Sequence, residues 1–275
     1  MNKFFNFFIF AIIIFIIIFI LQFIIFDENN DVNKKILDID SLFIIYGIDD
    51  DYTIFNDRKI WNTVEFELNP NNNEIYSSLF NDKNTVVISP IFTANAYSEN
   101  GFYEFFKGKC DQTCLTIELE KIPQFIHTSS GNALQVLSLL NYQIISDIDV
   151  DKNPEILQRY DKVILLHNEY VTKKEFDAIT SHPNVIYLYP NALYAEISVN
   201  YEDNTMTLLR GHNYPEPEIS NGFGWEYDNS PLEYDEYCED WEFYKISNGW
   251  MLNCYPERII ASDIELLKTI KMLGN

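Results

Sequence analysis

The stretch KVILLHNEYVTKKEFDAI, residues 162–179, predicts the type of fold. An apolar run at residues 163–166 has the length of a buried strand and stops at the polar residues 167–170. A capping box follows, because the Thr172 hydroxyl can accept from the backbone N–H of Glu175 and the Glu175 carboxylate can bond in return. The stretch therefore predicts a strand, a polar loop and a helix in direct succession.

The same alternation continues on both sides of this stretch. Short stretches of mostly apolar residues at 125–127, 142–145 and 185–188 predict three more short strands. Residues 132–140 carry apolar side chains at helical spacing, so a helix is expected between the first two of these strands. Strands that alternate with helices predict a parallel sheet with helices on both faces. We therefore predict an α/β core over residues 123–200.

Segments rich in β-structure are predicted on either side of this core. Residues 38–122 read as strands and loops, and the period-two alternation at residues 115–120 is typical of a half-buried strand. Residues 201–275 read as an acidic β lobe and a final helix, for which Ser262 and Glu265 form the expected capping box. Both segments are expected to add to the core.

The beginning of the chain predicts a membrane anchor. Residues 4–26 carry no charge and form an apolar run long enough to cross a bilayer as a helix. A cleavable signal peptide has a shorter apolar stretch and small residues before its cleavage site. We therefore predict a transmembrane signal anchor over residues 1–26, in contact with membrane lipid, and a polar tether over residues 27–37.

The four cysteines predict an oxidising compartment. They all lie after the apolar run, and an even number of cysteines suits disulfide bonds. Sequence proximity within separate segments favours the pairs Cys110–Cys114 and Cys238–Cys254. Basic residues are nearly balanced around residues 4–26, so the positive-inside rule does not set the orientation. The cysteines therefore decide the expected location, a single-pass protein of the cell membrane with its bulk outside the cytoplasm.

The charge of the chain excludes one class of partner. Its formal net charge is −23, and residues 211–244 contain ten carboxylates and no lysine or arginine. A surface of this kind repels nucleic acid and anionic lipid headgroups. Nucleic acid is therefore not expected as a partner, whereas solubility and cationic partners are compatible with such acidity.

The predicted topology places a candidate site at one edge of the sheet. If the four strands follow the order 2-1-3-4, as in flavodoxin-like folds, a ligand binds between the strands at residues 125–127 and 163–166. The loops that leave these strands, together with the loop after residues 185–188, would meet at the carboxyl edge. They supply the candidate ligand-binding residues His127, Ser129, His167, Glu169, Tyr170, Asn191 and Tyr194.

Ordinary structural roles compete with these assignments. Glu169 can stabilise a helix N-terminus through its charge, and Tyr170 can pack over the following helix. Ser129 and Ser130 can cap the helix that follows them. A hydrolase triad of a serine, His167 and Glu169 is also conceivable, although the chain has no G-x-S-x-G elbow.

Two short motifs carry a resemblance to a known family. The motifs are His167-Asn168-Glu169-Tyr170 and Asn191-Ala192-Leu193-Tyr194. They resemble the C-terminal domain of the N,N-dimethylformamidase large subunit, where a strand ends in a His-Asp-Glu-Tyr-type motif and the next ends in an Asn-x-x-Tyr motif. The resemblance implies a class I glutamine amidotransferase-like fold. The part of the chain after the anchor also resembles a family of membrane-anchored archaeal proteins.

The chain departs from this resemblance at two positions. Amidotransferases place a nucleophilic cysteine after the strand that matches residues 185–188, and this chain has Pro190 there. The formamidase is similar to a mononuclear iron amidase with tyrosine and glutamate ligands, so the resemblance implies Tyr170 and Tyr194 as ligands of iron or another divalent metal. No glutamate ligand can be assigned, and Asn168 stands where the family has an aspartate.

Two functions follow from these observations. The first is a membrane-anchored extracytoplasmic domain that binds a ligand or a partner and has no amidotransferase activity. The second is a metal-dependent hydrolase that acts on amide C–N bonds, similar to N,N-dimethylformamidase. The sequence leaves open whether the protein is an enzyme, and the metal content of the purified protein would separate the two.

Overall fold

The computed structural model describes residues 34–49, 51–55 and 58–274, which separate into two compact units. Of the described residues, the smaller unit contains those up to 37 and those from 46 to 64, and the larger unit contains the rest.

Short strands and helices make up the described chain. The strands are β1 (Lys34–Ile36), β2 (Phe43–Ile48), β3 (Tyr52–Phe55), β4 (Arg58–Trp61), β5 (Val64–Leu68), β6 (Thr85–Ser89), β7 (Thr116–Glu118), β8 (Gln143–Ser146), β9 (Lys162–Leu165), β10 (Tyr170–Thr172), β11 (Val185–Tyr187), β12 (Ala195–Asn200), β13 (Thr205–Arg210), β14 (Phe243–Ile246) and β15 (Gly249–Leu252). The α-helices are α1 (Asn73–Leu79), α2 (Ile91–Ala96), α3 (Phe102–Phe106), α4 (Gly131–Leu139), α5 (Asp147–Lys152), α6 (Lys173–Ser181) and α7 (Ile264–Met272). Single 3-10 segments are Pro70–Asn72, Gln112–Leu115, His127–Ser129, Pro154–Arg159, Ser230–Tyr234 and Pro256–Arg258.

The smaller unit contains two antiparallel pairings. Strand β1 pairs with the end of β2, and β3 forms a hairpin with β4 in which Tyr52 lies opposite Trp61. The rings of these two residues meet edge to face, and the Lys59 ammonium lies 3.7 Å from the centroid of the Tyr52 ring. Cross-strand aromatic pairs and a cation over a ring both stabilise such a hairpin.

The larger unit is organised around a six-stranded mixed sheet in the order β14-β15-β11-β9-β6-β8. Its strands are parallel except β14, which pairs antiparallel with β15 at the edge. Val86, Val163 and Val185 lie side by side in register on the three central strands, and each is fully buried. Continuous apolar runs form these strands because both faces of a parallel sheet are covered.

A second sheet, in the order β10-β12-β13-β7, begins where the main sheet ends. Strand β10 starts at Tyr170, five residues after the end of β9, and pairs parallel with β12. Strands β12, β13 and β7 are antiparallel neighbours. Residues 167–170 therefore connect the main sheet to the second sheet. The short strand β10 lies between this connection and the predicted helix, α6.

The predicted fold class is wrong for the described residues, which form a mixed α/β structure of several sheets. The predicted anchor, residues 1–26, lies outside the described residues, and no helix among the residues that the structure describes is long and apolar enough to cross a membrane. The predicted first strand, residues 125–127, is not a strand, since this run is too short and leads into a 3-10 turn. Strand β6, from the segment assigned to the flank, occupies that place between β8 and β9.

The helix starts also differ in detail from the prediction. The Thr172 hydroxyl caps α6 by accepting from the backbone N–H of Glu175 at 3.2 Å, but the Glu175 carboxylate does not bond in return. Helix α7 is capped by Asp263, which accepts from the backbone N–H of Leu266 at 2.9 Å, and not by Ser262. Each cap satisfies one of the backbone donors left free at a helix start.

The last helix is fixed to the main sheet by one buried lysine. The ammonium of Lys162, at the start of β9, donates to the backbone carbonyls of Ile270, Lys271 and Leu273. A cation at the C-terminal end of a helix satisfies carbonyls that have no partner within the helix and meets the negative end of its dipole. Burial lowers the pKa of Lys162 to about 8.

The structure contains both predicted disulfide bonds, Cys110–Cys114 and Cys238–Cys254. The first joins cysteines four residues apart, and the second joins cysteines 16 residues apart. All four cysteines of the chain are thereby oxidised, so none carries a free thiol.

Removing the second disulfide bond should destabilise the protein more than removing the first. The loop-entropy model assigns about 3 kcal/mol to a closed loop of about 15 residues and less to a shorter loop. Replacing Cys238 and Cys254 by serine should therefore lower the free energy of unfolding, measured in urea, by more than the same change at Cys110 and Cys114. Equal losses would contradict the expectation.

Three carboxylates are buried together between α5 and α6. Asp147 accepts from two backbone N–H groups, and Asp151 accepts from two hydroxyl groups. Glu175 is fully buried, and neither of its oxygens has a hydrogen-bond partner among the described residues. Burial raises the pKa of Glu175 well above its usual range, and the charges of Asp147 and Asp151 raise it further.

This raised pKa predicts a stability that falls as the pH rises. Glu175 contributes its stability in full below its unfolded pKa of about 4.5, and the contribution is lost as the pH climbs toward the raised folded value. Glu175→Gln stays uncharged at every pH. Its free energy of unfolding relative to the natural chain should therefore increase from pH 5 to pH 8, in urea titrations at both values. Glu218→Gln, an exposed control, should show no such change, and an equal change in both variants would contradict the prediction.

Candidate functional site

A cleft of about 340 Å³ lies at the carboxyl edge of the main sheet. Tyr97, His167, Asn191 and Tyr255 line it, and they follow the carboxyl ends of β6, β9, β11 and β15 respectively. Because these four strands are parallel, their carboxyl ends share one edge, where ligands bind in sheets of this type.

Backbone hydrogen bonds hold the two predicted loops together. The N–H of Leu193 donates to the carbonyl of Asn168, and the N–H groups of Tyr194 and Ala195 both donate to the carbonyl of Glu169, each at 2.9 Å. Asn191 and Leu193 adopt positive φ angles of 62° and 56°, so the second loop doubles back toward the first. Asparagine tolerates this conformation better than most residues, which favours Asn191 at the turn.

Glu169 is the central carboxylate of the site. It is fully buried, and its Oε1 accepts from Nε2 of His212 while its Oε2 accepts from the Tyr97 hydroxyl at 2.7 Å. Nε2 of His167 lies 3.7 Å from Oε2. Burial acts to raise the pKa of Glu169, but the charge and hydrogen bond of His212, with help from His167 and Tyr97, hold that pKa below its usual value. Glu169 is therefore an ionised carboxylate.

His167 is held in one tautomer by its surroundings. Its Nδ1 lies 2.6 Å from the carbonyl of Thr128, and since a carbonyl can only accept, Nδ1 carries the proton. Its backbone N–H donates to the Ser130 hydroxyl at 2.9 Å. Nε2 of the ring is buried and has no hydrogen-bond partner among the described residues, and the His167 side chain lines the cleft.

The acidic segment forms the opposite wall of the cleft. The side-chain amide of Asn191 donates to Oε2 of Glu233 at 2.9 Å, while its own Oδ1 is buried without a partner in the described part of the chain. Burial raises the pKa of Glu233; the Tyr234 hydroxyl lowers it, and the charge of Glu169 raises it further. Glu236, nearby, is paired with Arg258.

A second buried glutamate supports the back of the site. Glu257 accepts from the backbone N–H of Asn132 at 2.6 Å and from the hydroxyl of Tyr189, whose ring stacks on that of His167. Burial raises the pKa of Glu257 to about 7. The Tyr255 hydroxyl, between these groups, donates to the carbonyl of His127.

The predicted site residues do not all reach the cleft. His127, His167, Glu169, Asn191 and Tyr194 line it. The hydroxyl of Ser129 instead accepts from the backbone N–H of Ile126, three residues earlier in the same turn. The hydroxyl of Ser130 accepts from the backbone N–H of His167 and makes no cap hydrogen bond to α4, so the expected serine cap of that helix is wrong.

Tyr170 lies behind the cleft rather than in its lining. Its ring is fully buried and stacks on His212, with 5.3 Å between centroids, while Tyr194 packs on the same imidazole at 4.7 Å. The Tyr170 hydroxyl is buried and has no hydrogen-bond partner within the described residues. The two tyrosines therefore share His212 as a neighbour.

The metal site implied by the resemblance does not fit this arrangement. Tyr170 does not line the cleft, and both oxygens of Glu169 already accept hydrogen bonds. Within the described ranges, no group of three or more histidine, cysteine, aspartate or glutamate side chains is arranged to hold a metal ion. Burial and the charge of Glu169 also raise the pKa of Tyr170, which keeps its phenol neutral.

Sequence reasoning missed His212, Tyr97 and Glu233. Each lies far along the chain from the loop that it contacts, and His212 and Tyr97 are 43 and 72 positions from Glu169. The one available signal was the acidic composition of residues 211–244, which contain both His212 and Glu233.

Comparison with models of known protein families gives no match, and comparison with curated proteins gives none either. The resemblance to N,N-dimethylformamidase thus stays a prediction that depends on two short motifs.

Two tyrosines that flank Glu169 should respond differently to loss of the hydroxyl. Tyr97→Phe removes a hydrogen bond to a buried carboxylate, which should cost about 1.5–3 kcal/mol of unfolding free energy. Tyr170→Phe removes a buried hydroxyl that has no partner in the described chain, so stability should stay the same or increase. Urea unfolding at pH 7 measures both variants. A loss in Tyr170→Phe as large as that in Tyr97→Phe would show that the Tyr170 hydroxyl is bonded.

Proposed function

We propose that the protein binds a small ligand in the cleft and has no amidotransferase activity. The supporting observation is that two residues of the cleft lining carry buried polar atoms without a hydrogen-bond partner among the described residues, Nε2 of His167 and Oδ1 of Asn191. A buried polar atom left without a partner costs about 1–3 kcal/mol. A ligand that enters the cleft can supply the missing hydrogen bonds.

The size and lining of the cleft support the same function. Its volume of about 340 Å³ lies within the range of small-molecule sites. Such sites combine aromatic walls with a few polar groups that fix the orientation of the ligand. Here the walls include Tyr97, Tyr103 and Tyr194, and the polar groups include Glu169 and His167.

The chain offers no thiol nucleophile for amidotransferase chemistry. Pro190 and Asn191 follow β11, where that chemistry needs a cysteine, and all four cysteines are in disulfide bonds. The hydroxyls of Ser129 and Ser130 are engaged with backbone N–H groups. Two disulfide bonds also support an extracytoplasmic location for this ligand-binding domain, because such bonds persist in oxidising compartments.

The alternative function, a metal-dependent amide hydrolase, has weaker support. Its two tyrosine ligands are divided between the lining of the cleft and the packed interior behind it. Elemental analysis of the purified full chain separates the two functions, since stoichiometric iron or another transition metal would favour the hydrolase.

Ligand binding can be tested by blocking the cleft. We expect at least one compound in a panel of amines, sugars, nucleosides, amino acids and carboxylates to raise the melting temperature of the full chain. A ligand at 100 times its dissociation constant stabilises the folded state by about 2.7 kcal/mol. Ser230→Trp, which fills the cleft from its rim, should abolish the shift.

The matched control is Ser77→Trp, at an exposed position of α1 that does not line the cleft. It should keep the full shift. If no compound stabilises the natural chain, or if both variants respond alike, the cleft is not a ligand site.

A further inference from the structure

We propose that the ligand of the cleft carries an ammonium group, which the carboxylate of Glu233 and the aromatic rings of the cleft bind together. This inference rests on the proposed function and adds the chemical class of the ligand.

The first support is the balance of charge in the cleft. Glu169 and Glu233 both line it, and no lysine or arginine of the described chain forms an ion pair with either of them. The partners of Glu169 are imidazoles and a phenol, and the amide of Asn191 is a partner of Glu233. Glu236 differs, because the guanidinium of Arg258 neutralises it. Among the described residues, the carboxylate of Glu233 therefore has no ion-pair partner, whereas the charge of Glu169 is shared with the imidazoles of His212 and His167.

The charge of Glu169 makes ionisation of Glu233 less favourable. Burial raises the pKa of Glu233, and the charge of Glu169 raises it further against the hydrogen bond from Tyr234. An ionised Glu233 is thus unfavourable in the cleft without a ligand. A cation beside Glu233 favours the ionised form of that carboxylate, and this attraction is stronger in a half-buried cleft than in bulk water.

The second support is the aromatic lining. Tyr103, Phe106 and Tyr234 line the cleft, and the side chains of Phe106 and Tyr234 are 41% and 81% exposed. Exposed aromatic rings on an acidic rim are suited to cations, since the face of each ring carries partial negative charge. Aromatic cages of this composition recognise alkylated ammonium groups.

The chain already places one ammonium group in this setting. Lys107 lines the cleft with Tyr103, and its Nζ lies 4.8 Å from the centroid of the Tyr103 ring. The hydrogen bond and charge of Tyr103 raise the pKa of Lys107, and the charge of Glu233 adds to that effect. Lys107 is therefore an internal competitor for the groups that would bind the ammonium of a ligand.

Other ligand classes satisfy fewer of these groups. A neutral sugar can stack on the rings and donate to the carboxylates, but it leaves their repulsion in place. An anion would be repelled by Glu169 and Glu233, and in the cleft lining Lys107 and the histidines are the side chains that can carry a compensating positive charge. An ammonium compound is attracted both by the carboxylate of Glu233 and by the faces of the aromatic rings that line the cleft.

The test uses cations paired with neutral compounds of the same shape. Isothermal titration calorimetry of the full chain at pH 8 should detect binding of choline and of cadaverine. Their uncharged counterparts, 3,3-dimethylbutan-1-ol and 1,5-pentanediol, should bind at least tenfold more weakly. Betaine, which adds a carboxylate to the quaternary ammonium, should be weakened in the same direction because that carboxylate faces Glu169 and Glu233.

Three variants assign the effect to the cleft. Glu233→Gln keeps the shape and the acceptor for Asn191 but removes the charge, and it should weaken choline binding at least tenfold. Glu218→Gln changes the net charge equally at an exposed position outside the cleft and should leave the affinity unchanged. Lys107→Gln removes the competing ammonium and should strengthen binding.

The outcomes distinguish this inference from the function on which it depends. If neutral or anionic compounds stabilise the chain and the ammonium compounds do not, the protein binds a ligand but the inference is wrong. Equal affinity of choline for the Glu233→Gln variant and the natural chain would overturn it as well. If no compound of any class binds, the proposed function itself fails.

Discussion

The backbone hydrogen bonds between the loop after β9 and the loop after β11 are the constraint on which the site depends. Through them the carbonyls of Asn168 and Glu169 accept from three successive N–H groups, residues 193–195. They set the register in which Tyr170 pairs with Ala195, and so they join the main sheet to the second sheet. The side chain of Glu169 is thereby held at the junction of two sheets, where the protein excludes most of the surrounding water.

A carboxylate at such a junction requires partners from both sheets. His212 arrives from the end of β13 in the second sheet, and Tyr97 arrives from the connection after β6 in the main sheet. These two groups stabilise the charged form, since a buried ion without hydrogen bonds would cost several kcal/mol. Tyr170 and Tyr194 pack on the ring of His212, which also lines the cleft.

Apolar runs and helix caps predicted those strands and helices that are specified by residues close together in the sequence. The strand at residues 163–166 and the helix after Thr172 are present, because apolar runs and caps act over a few residues. The strand predicted at residues 125–127 was wrong, since two apolar residues and a histidine do not specify a strand without a partner. The contacts of Glu169 with His212 and Tyr97 could not be predicted from the sequence. They depend on the order of strands in the two sheets, and those strands are far apart along the chain.

Two buried glutamates show how the fold separates a charged site from a neutral core. Glu169 and Glu175 are both fully buried and only six positions apart. Imidazoles and a phenol lower the pKa of Glu169 against the effect of burial, whereas burial and two aspartates raise the pKa of Glu175. Residue type and burial are the same, so the neighbours alone decide the charge. The neighbours of Glu169 therefore favour its negative charge beside the cleft, whereas the neighbours of Glu175 favour its neutral acid in the interior. A charged ligand that enters the cleft meets the electrostatic potential of Glu169 and its partners.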